Sequence, residues 1–321
     1  MYAKVILQKP VPRFDGLFDY KIPENLLTST KIGSVVAIPF GKRETIGYVI
    51  ELTETSDVKN IKEIIGIIGD EPAFSEKSLA LAKWISNYYF SFFISALRLV
   101  MPPGSIRKSK LESRKKKAAG TEPILQPLIP NPQSLVLTAD QQSSSTELNS
   151  AIDEKAQKTF LLYGPTNSGK TEVYLRAVSH ALEKSLGSII LVPEISLTPQ
   201  LIDRFKEKFN CPISIIHSGI TLSKRNQEWE RLSKGESKIV LGTRSAIFAP
   251  VKDLGLVVLD EEFEQSYKQD QNPHYHAREV GRQLGATVVL VSASPSIETF
   301  YKAEHGEYQL LKLNGRINNS P

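Results

Sequence analysis

Cysteine is almost missing from this sequence. The single thiol, Cys211, rules out an internal disulfide and any cysteine-rich zinc site built from this chain alone. Its apolar-flanked surroundings, FNCPIS, read as an inert core position. Long apolar runs are also absent. Nothing approaches the roughly 20 residues needed to cross a bilayer, and the N-terminus MYAKVILQKPVPRF has neither the apolar core nor the small-residue cleavage site of a secretory signal. Membrane partners are therefore not expected, and a cytoplasmic protein is the default. The hydrophobic fraction of 40% with 23% charged residues fits packed globular domains, and 321 residues suffice for two of them.

The basic excess is modest, +5 at neutral pH. Its placement says more than its size. Arg107 to Lys117 (RKSKLESRKKK) holds seven basic residues against one acid. Such a run attracts phosphates through counterion release, or is simply a solvated linker. Gly120, Pro123, Pro127, Pro130 and Pro132 follow it, so residues 105–135 read as a linker too short for a stable domain.

Residues 1–104 read as a first domain. Its β-branched runs at Val5–Leu7, Ser34–Ile38 and Ile46–Glu51 are punctuated by Pro10, Pro12, Gly33, Pro39 and Gly41. Ser75 to Val100 follows a helical apolar period with Ser75 as its N-cap. Residues 136–321 instead alternate apolar runs with amphipathic stretches. Strands are expected at Thr159–Tyr163, Ser188–Val192, Pro212–Ile216, Ser237–Leu241, Leu256–Leu259 and Thr287–Val291, with helices at Thr171–Leu186 and Leu197–Phe209. That alternation is the pattern of a parallel α/β sheet covered on both faces.

Gly164-Pro165-Thr166-Asn167-Ser168-Gly169-Lys170-Thr171 matches the phosphate-loop pattern G-x-x-x-x-G-K-[ST] in full, between an apolar strand and a helix. In such a loop free backbone N–H groups cradle phosphates, the lysine reaches the β- and γ-phosphates, and the threonine holds Mg²⁺. About ninety residues later an apolar strand ends in Asp260-Glu261-Glu262. Asp260 is placed to hold the Mg²⁺, directly or through water, and Glu261 to polarise an attacking water. Together these imply an ATP- and Mg²⁺-dependent triphosphatase. Three further segments follow strands: Pro193–Gln200, Gly242–Ala246 and Ser292–Ser294. Their hydroxyls and Arg244 suit a phosphate backbone. Each is equally well an ordinary turn with an N-cap.

In this order the segments resemble the first motor lobe of superfamily 2 helicases. More closely, they resemble the PriA-type replication-restart helicases. The residues that carry the likeness are TEVYL after the loop, VPEISLTPQ, IHSG, GTRSAIFAP, LDEE, SYKQ, YHAREV and SASPSIET. The resemblance implies a RecA-like parallel-sheet lobe preceded by a small β-rich DNA-binding domain. It implies DNA contacts from Thr198, Thr243, Arg244, Tyr267 and Lys268, with the last two in a loop linking DNA contact to ATP turnover. Leu137–Gln141 resembles the segment whose glutamine, here Gln141, recognises adenine. Phe18-Asp19-Tyr20 and Gly41 resemble a module that binds a free 3′ end: Asp19 would accept a hydrogen bond from the terminal 3′-OH, and Phe18 would stack on or enclose the last base.

Asn167, Phe263 and Ser294 depart from the family's glycine, histidine and threonine. The linker is shorter than the winged-helix domain of many relatives. The implied activity is ATP-dependent 3′→5′ unwinding of forked and single-stranded DNA in replication restart, with single-stranded DNA-binding protein and other primosome proteins as partners. The family's zinc module and second lobe would lie beyond Pro321, so zinc is expected only there and hydrolysis by this length of chain is expected to be low. The alternative is a fork- and 3′-end-binding module with little or no ATPase activity; a small-molecule kinase would leave the first domain unexplained.

Overall fold

The computed structural model describes residues 1–9, 16–104 and 136–315. The basic run and the linker at 105–135, with Pro10 and Pro12, lie outside the described residues. The chain divides into two compact units, Met1–Lys117 with Gln271–His274 and Ala118–Asp270 with Tyr275–Pro321.

The first unit is an antiparallel sheet with two helices. Strands β1 (Tyr2–Leu7), β2 (Phe18–Lys21), β3 (Val35–Phe40), β4 (Arg43–Thr53) and β5 (Gly66–Ile67) lie in the order β2-β1-β4-β3-β5. Alternate residues of these strands, among them Val5, Tyr20, Val36, Ile38 and Val49, meet in one apolar cluster, as the twofold period of a half-buried strand requires. The turn from β3 to β4 passes through Gly41 at φ +61°, a left-handed position that suits glycine.

The expected long helix is two helices, α1 (Glu76–Tyr88) and α2 (Phe93–Leu99). Ser75 does cap α1, accepting a bond from the Ser78 N–H. The break falls at Phe90, which takes φ +48° and is 95% exposed. No glycine or proline marks it, and the apolar run YYFSFF carries straight through it.

The second unit is a seven-stranded parallel sheet with helices. Its elements are α3 (Ala139–Asp153), β6 (Thr159–Tyr163), α4 (Lys170–Glu183), β7 (Gly187–Leu191), α5 (Pro199–Phe209), β8 (Ile213–Ile216), α6 (Leu222–Lys234), β9 (Ile239–Gly242), β10 (Leu254–Asp260), α7 (Ala277–Arg282), β11 (Thr287–Ser292), α8 (Ile297–Glu304) and β12 (Gln309–Lys312). The strand order is β12-β6-β11-β10-β7-β9-β8. The near-continuous apolar strands are buried along their length, as the sequence pattern requires of a sheet covered on both faces. This is a parallel-sheet lobe of the RecA-like kind.

Register fixes where the chemistry sits. Tyr163 pairs with Ser292, Val291 with Asp260, Leu259 with Leu191, Leu191 with Gly242, and Gly242 with Ile216. All six strands therefore end level, and the phosphate loop, the acids at 260–262 and the segments 193–200, 242–246 and 292–294 leave the sheet along one edge, the edge where parallel sheets bind ligands. The strand β12 is an addition the apolar pattern does not announce, since QLLK leaves three of its four residues exposed. It pairs with β6 and covers that strand's outer side.

Candidate nucleotide and DNA-end sites

The phosphate loop turns tightly after β6. Gly164 has no room for a side chain: a Cβ there would stand 2.8 Å from the Leu313 carbonyl oxygen and 2.8 Å from Ser168 Oγ. Asn167 and Gly169 both take left-handed backbone, at φ +64° and +84°. Asparagine tolerates that region better than most residues, so the loop keeps its turn without the family's glycine. Ser168 is buried and its Oγ has no hydrogen-bond partner. Thr166 and Asn167 are exposed.

Lys170, the first residue of α4, is 8% exposed, and its Nζ donates to the carbonyls of Gly164 (2.8 Å) and Pro165 (2.9 Å). Burial lowers its pKa, while the charges of Glu261 and Asp260 pull the other way. Those two carboxylates answer it: burial raises the pKa of each, and the Lys170 charge opposes that rise in both. The loop at the end of β6 and the acids at the end of β10 thus form one electrostatic unit, although β11 lies between their strands.

Asp260 is held at both oxygens. Its Oδ1 accepts from the Glu261 N–H at 3.1 Å and its Oδ2 from the Tyr174 hydroxyl at 3.0 Å. Glu261 sits at a sharp corner, φ +48°. The third acid faces elsewhere. The Glu262 side chain is fully buried; it pairs with Arg278 at 3.3 Å and accepts from the Ser296 N–H (2.7 Å) and the Thr299 hydroxyl (3.0 Å). It ties the acidic strand end to α7 and to the start of α8. None of Tyr174, Glu262 and Arg278 is given a site role by the sequence; they enter it only within the TEVYL, LDEE and YHAREV likenesses.

The donor set suits ATP and Mg²⁺. The tight turn at 164–169 brings an unpartnered buried hydroxyl at Ser168 beside the buried Lys170 ammonium, with Thr171 next in the chain and Asp260 at the same sheet edge. Among the described residues no cluster of three or more His, Cys, Asp or Glu could hold a metal. Mg²⁺ needs none, since it binds through one or two protein oxygens with phosphates and water completing its shell.

Burial and hydrogen bonds place the remaining expected site residues. Tyr267, expected to touch DNA, is 1% exposed and its hydroxyl donates to the carbonyls of Leu191 (3.0 Å) and Asp260 (2.6 Å). It braces the ends of β7 and β10. Arg244, expected on phosphates, donates through Nη1 to the carbonyls of Ser266 (3.0 Å) and Lys268, clamping the Tyr267 loop. Gln141 lies in the first turn of α3. Its Oε1 completes a capping box with Thr138 and its Nε2 donates to the Ser168 carbonyl at 2.8 Å, so its amide supports the helix start and the phosphate loop. Thr198 is the N-cap of α5, accepting from the Leu201 N–H. Thr243 is buried, and Lys268 is exposed.

In the first unit, Tyr20 is also a core residue, 4% exposed, with its hydroxyl donating to the Pro39 carbonyl. Strand alternation then turns Asp19 to the other face of β2, opposite Lys4 on β1. Its carboxylate accepts from the Ser56 hydroxyl. Phe18 packs edge-on against Phe40 at 5.2 Å, and Lys62 donates to the Gly41 carbonyl at 3.2 Å. Lys62 brings a cation that the motif reading missed.

Comparison with known proteins agrees with both units. The chain belongs to the DEAD/DEAH box helicase family, whose model matches residues 138–303. The model of the PriA 3′ DNA-binding domain matches residues 4–102. The chain is similar to proteins named replication restart protein PriA: that of Bacillus subtilis is 28% identical over 99% of this chain and 56% of its own length. That of Chlamydia pneumoniae is 32% identical over 98% and 51%, and that of Rickettsia felis 36% identical over 99% and 46%. The chain thus spans about half the length of the curated relatives it matches. Among solved structures, RecG bound to a three-way DNA junction has 23% identity and a TM-score of 0.45 over 57% of this chain and 24% of that one.

Proposed function

We propose that this chain is the DNA-end-recognising and nucleotide-binding portion of an ATP-dependent 3′→5′ DNA helicase that acts on forked and single-stranded DNA in replication restart. The observation that carries this reading is the meeting of Lys170 with Asp260 and Glu261 at one sheet edge, in a chain whose other unit matches a 3′ DNA-binding domain. Lys170 would hold the β- and γ-phosphates, leaving its two loop carbonyls to do so. Thr171 and Asp260 would hold Mg²⁺, which supplies charge neutralisation on the transferring phosphoryl group. Glu261 would orient a water and take its proton, a role its raised pKa favours. Single-stranded DNA-binding protein and other primosome proteins are proposed as partners by analogy with the relatives, in the cytoplasm; a zinc module is proposed only for a longer form of the protein. Among the described residues no helix is long and apolar enough to cross a membrane.

A steady-state ATPase assay with and without forked DNA tests the motor reading. Stimulation by DNA is expected. A rate indifferent to DNA would favour a nucleotide-binding enzyme of another kind.

The second reading is a DNA-end module with little ATP turnover. It is favoured by Phe263, 41% exposed directly after the acids, which has no polar atom to relay DNA contact. Both readings share the 3′-end site. A 3′-OH end is expected to bind about 10-fold tighter than a 3′-phosphate end in fluorescence anisotropy, because a carboxylate accepts from a hydroxyl and repels a phosphate. Asp19→Ala should erase that difference. Equal affinities for the two ends in the unsubstituted protein would remove Asp19 from the site.

A further inference from the structure

We infer that Ser56 is a positioning residue of the 3′-end site: its hydroxyl holds one oxygen of the Asp19 carboxylate and so aims the other at the terminal 3′-OH of a DNA strand.

Asp19 lies in β2, and alternation along that strand sends its side chain away from the core that Tyr20 enters. Across from it on β1 stands Lys4, whose ammonium is given to Glu51 at 3.1 Å. No cation pairs with Asp19 among the described residues. Its partner is Ser56, whose Oγ donates to Asp19 Oδ2 from 37 residues along the chain.

Ser56 belongs to the connection from β4 to β5, and that connection is fixed against β2. The Lys21 N–H donates to the Lys62 carbonyl at 2.9 Å, the Ile64 N–H donates to the Lys21 carbonyl at 3.0 Å, and the Lys21 ammonium meets Glu63 at 2.9 Å. Lys21 follows Asp19 on the same strand. Within the connection the Thr53 hydroxyl donates to the Thr55 carbonyl at 3.0 Å and the Val58 N–H to Ser56 Oγ at 3.3 Å. The serine hydroxyl is thus engaged on both sides: it accepts from its own turn and spends its one proton on Asp19.

The end torsion of an aspartate is broad and nearly twofold, so an unheld carboxylate samples many planes. A hydroxyl bound at Oδ2 narrows that choice. It takes one of about four lone-pair sites on the carboxylate and leaves the others open. Nothing among the described residues donates to Oδ1, the oxygen left for a ligand hydroxyl. A group already held in its binding orientation spares the ordering that a ligand would otherwise have to impose. Charge alone repels any phosphate, whereas a carboxylate of fixed plane selects a hydroxyl donor at one position.

The inference rests on the proposed 3′-end reading, and the test keeps the two apart. Fluorescence anisotropy on the full 321-residue chain would use two single-stranded oligonucleotides of one sequence. One ends in a 3′-OH and the other in a 2′,3′-dideoxynucleotide, which has no 3′ donor. The unsubstituted chain is expected to prefer the 3′-OH end about 10-fold. Ser56→Ala is expected to cut that preference about 2- to 5-fold by weakening the 3′-OH end alone. Ser56→Thr, which keeps a hydroxyl, is expected to keep the preference. Ser56 lies outside the core among exposed residues, so alanine there spares the fold. An unchanged preference in Ser56→Ala would overturn the inference and leave Asp19 in its site. So would an equal loss at both ends, which marks a contact that only shapes the loop, or a threonine variant as poor as alanine. Tighter 3′-OH binding by Ser56→Ala would also overturn it, marking the serine as a competitor for the carboxylate. If the unsubstituted chain bound both ends alike, the 3′-end reading would fall and this inference with it.

Discussion

Lys170→Ala is expected to weaken Mg²⁺·ATP binding by about 100-fold, to the point where calorimetry registers little heat beyond dilution. The ammonium would make charge-assisted bonds to two phosphates, each contributing about 1.5–3 kcal/mol, and every 1.4 kcal/mol is about tenfold in affinity. The full sum is not realised, because Lys170 must first release the Gly164 and Pro165 carbonyls it holds at 2.8 and 2.9 Å. Those two bonds also mean that the substitution loosens the loop itself. A thermal melt of the variant belongs beside the titration, and a shift of only a few degrees is expected. ATP binding as tight as that of the unsubstituted chain would refute the phosphate loop as a triphosphate site, however well its sequence fits.

The largest effect on stability is expected at Glu262. Its carboxylate is fully buried against a guanidinium whose side chain is 12% exposed. Glu262→Ala leaves Arg278 with Glu279 as its remaining acidic partner, and deprives the Ser296 N–H and the Thr299 hydroxyl of their acceptor. Breaking one side of such a pair costs about 3–5 kcal/mol. For a domain of this size each kcal/mol lowers the melting temperature by about 2–4 °C, so the helicase lobe should melt about 6–20 °C lower in differential scanning calorimetry. Glu262→Gln keeps the volume and one acceptor but sets an amide against the donors, and should fall between. A drop below about 2 °C for the alanine variant would mean that the buried pair offsets no more than its own desolvation.

The two predictions mark the boundary of what the amino-acid order discloses. Lys170 is legible because a phosphate loop is local: eight consecutive residues supply the turn, the amides and the cation. The strands are legible for a similar reason, since a buried parallel strand is an unbroken β-branched run. Glu262 belongs to another category. Its partners are 16, 34 and 37 residues away along the chain, and three acids in a row give no hint which one turns inward. Tyr174 and Tyr267 illustrate the same limit: only the packing of α4 and of the 265–267 turn shows that their hydroxyls bond to Asp260, at its side chain and its main chain respectively. The break between α1 and α2 was hidden by chemistry rather than by distance, because phenylalanine occupies a backbone position usually left to glycine.

The last strand of the sheet reaches further than its four residues suggest. Beyond β12 the Leu313 N–H donates to the Tyr163 carbonyl at 2.8 Å, and the Leu313 carbonyl is what forbids a side chain at Gly164. Asn314 donates to Asp140 through its main chain (2.9 Å) and its side chain (3.0 Å), and the neighbouring Gln141 grips Ser168. The floor under the triphosphate cradle is thus laid by residues some 150 positions downstream of it, and the cradle is closed into a ring by α3. A shorter lobe drawn to stop after α8 would strip the outer flank of β6 to bare amides and carbonyls and take away the Leu313 backbone that packs against Gly164.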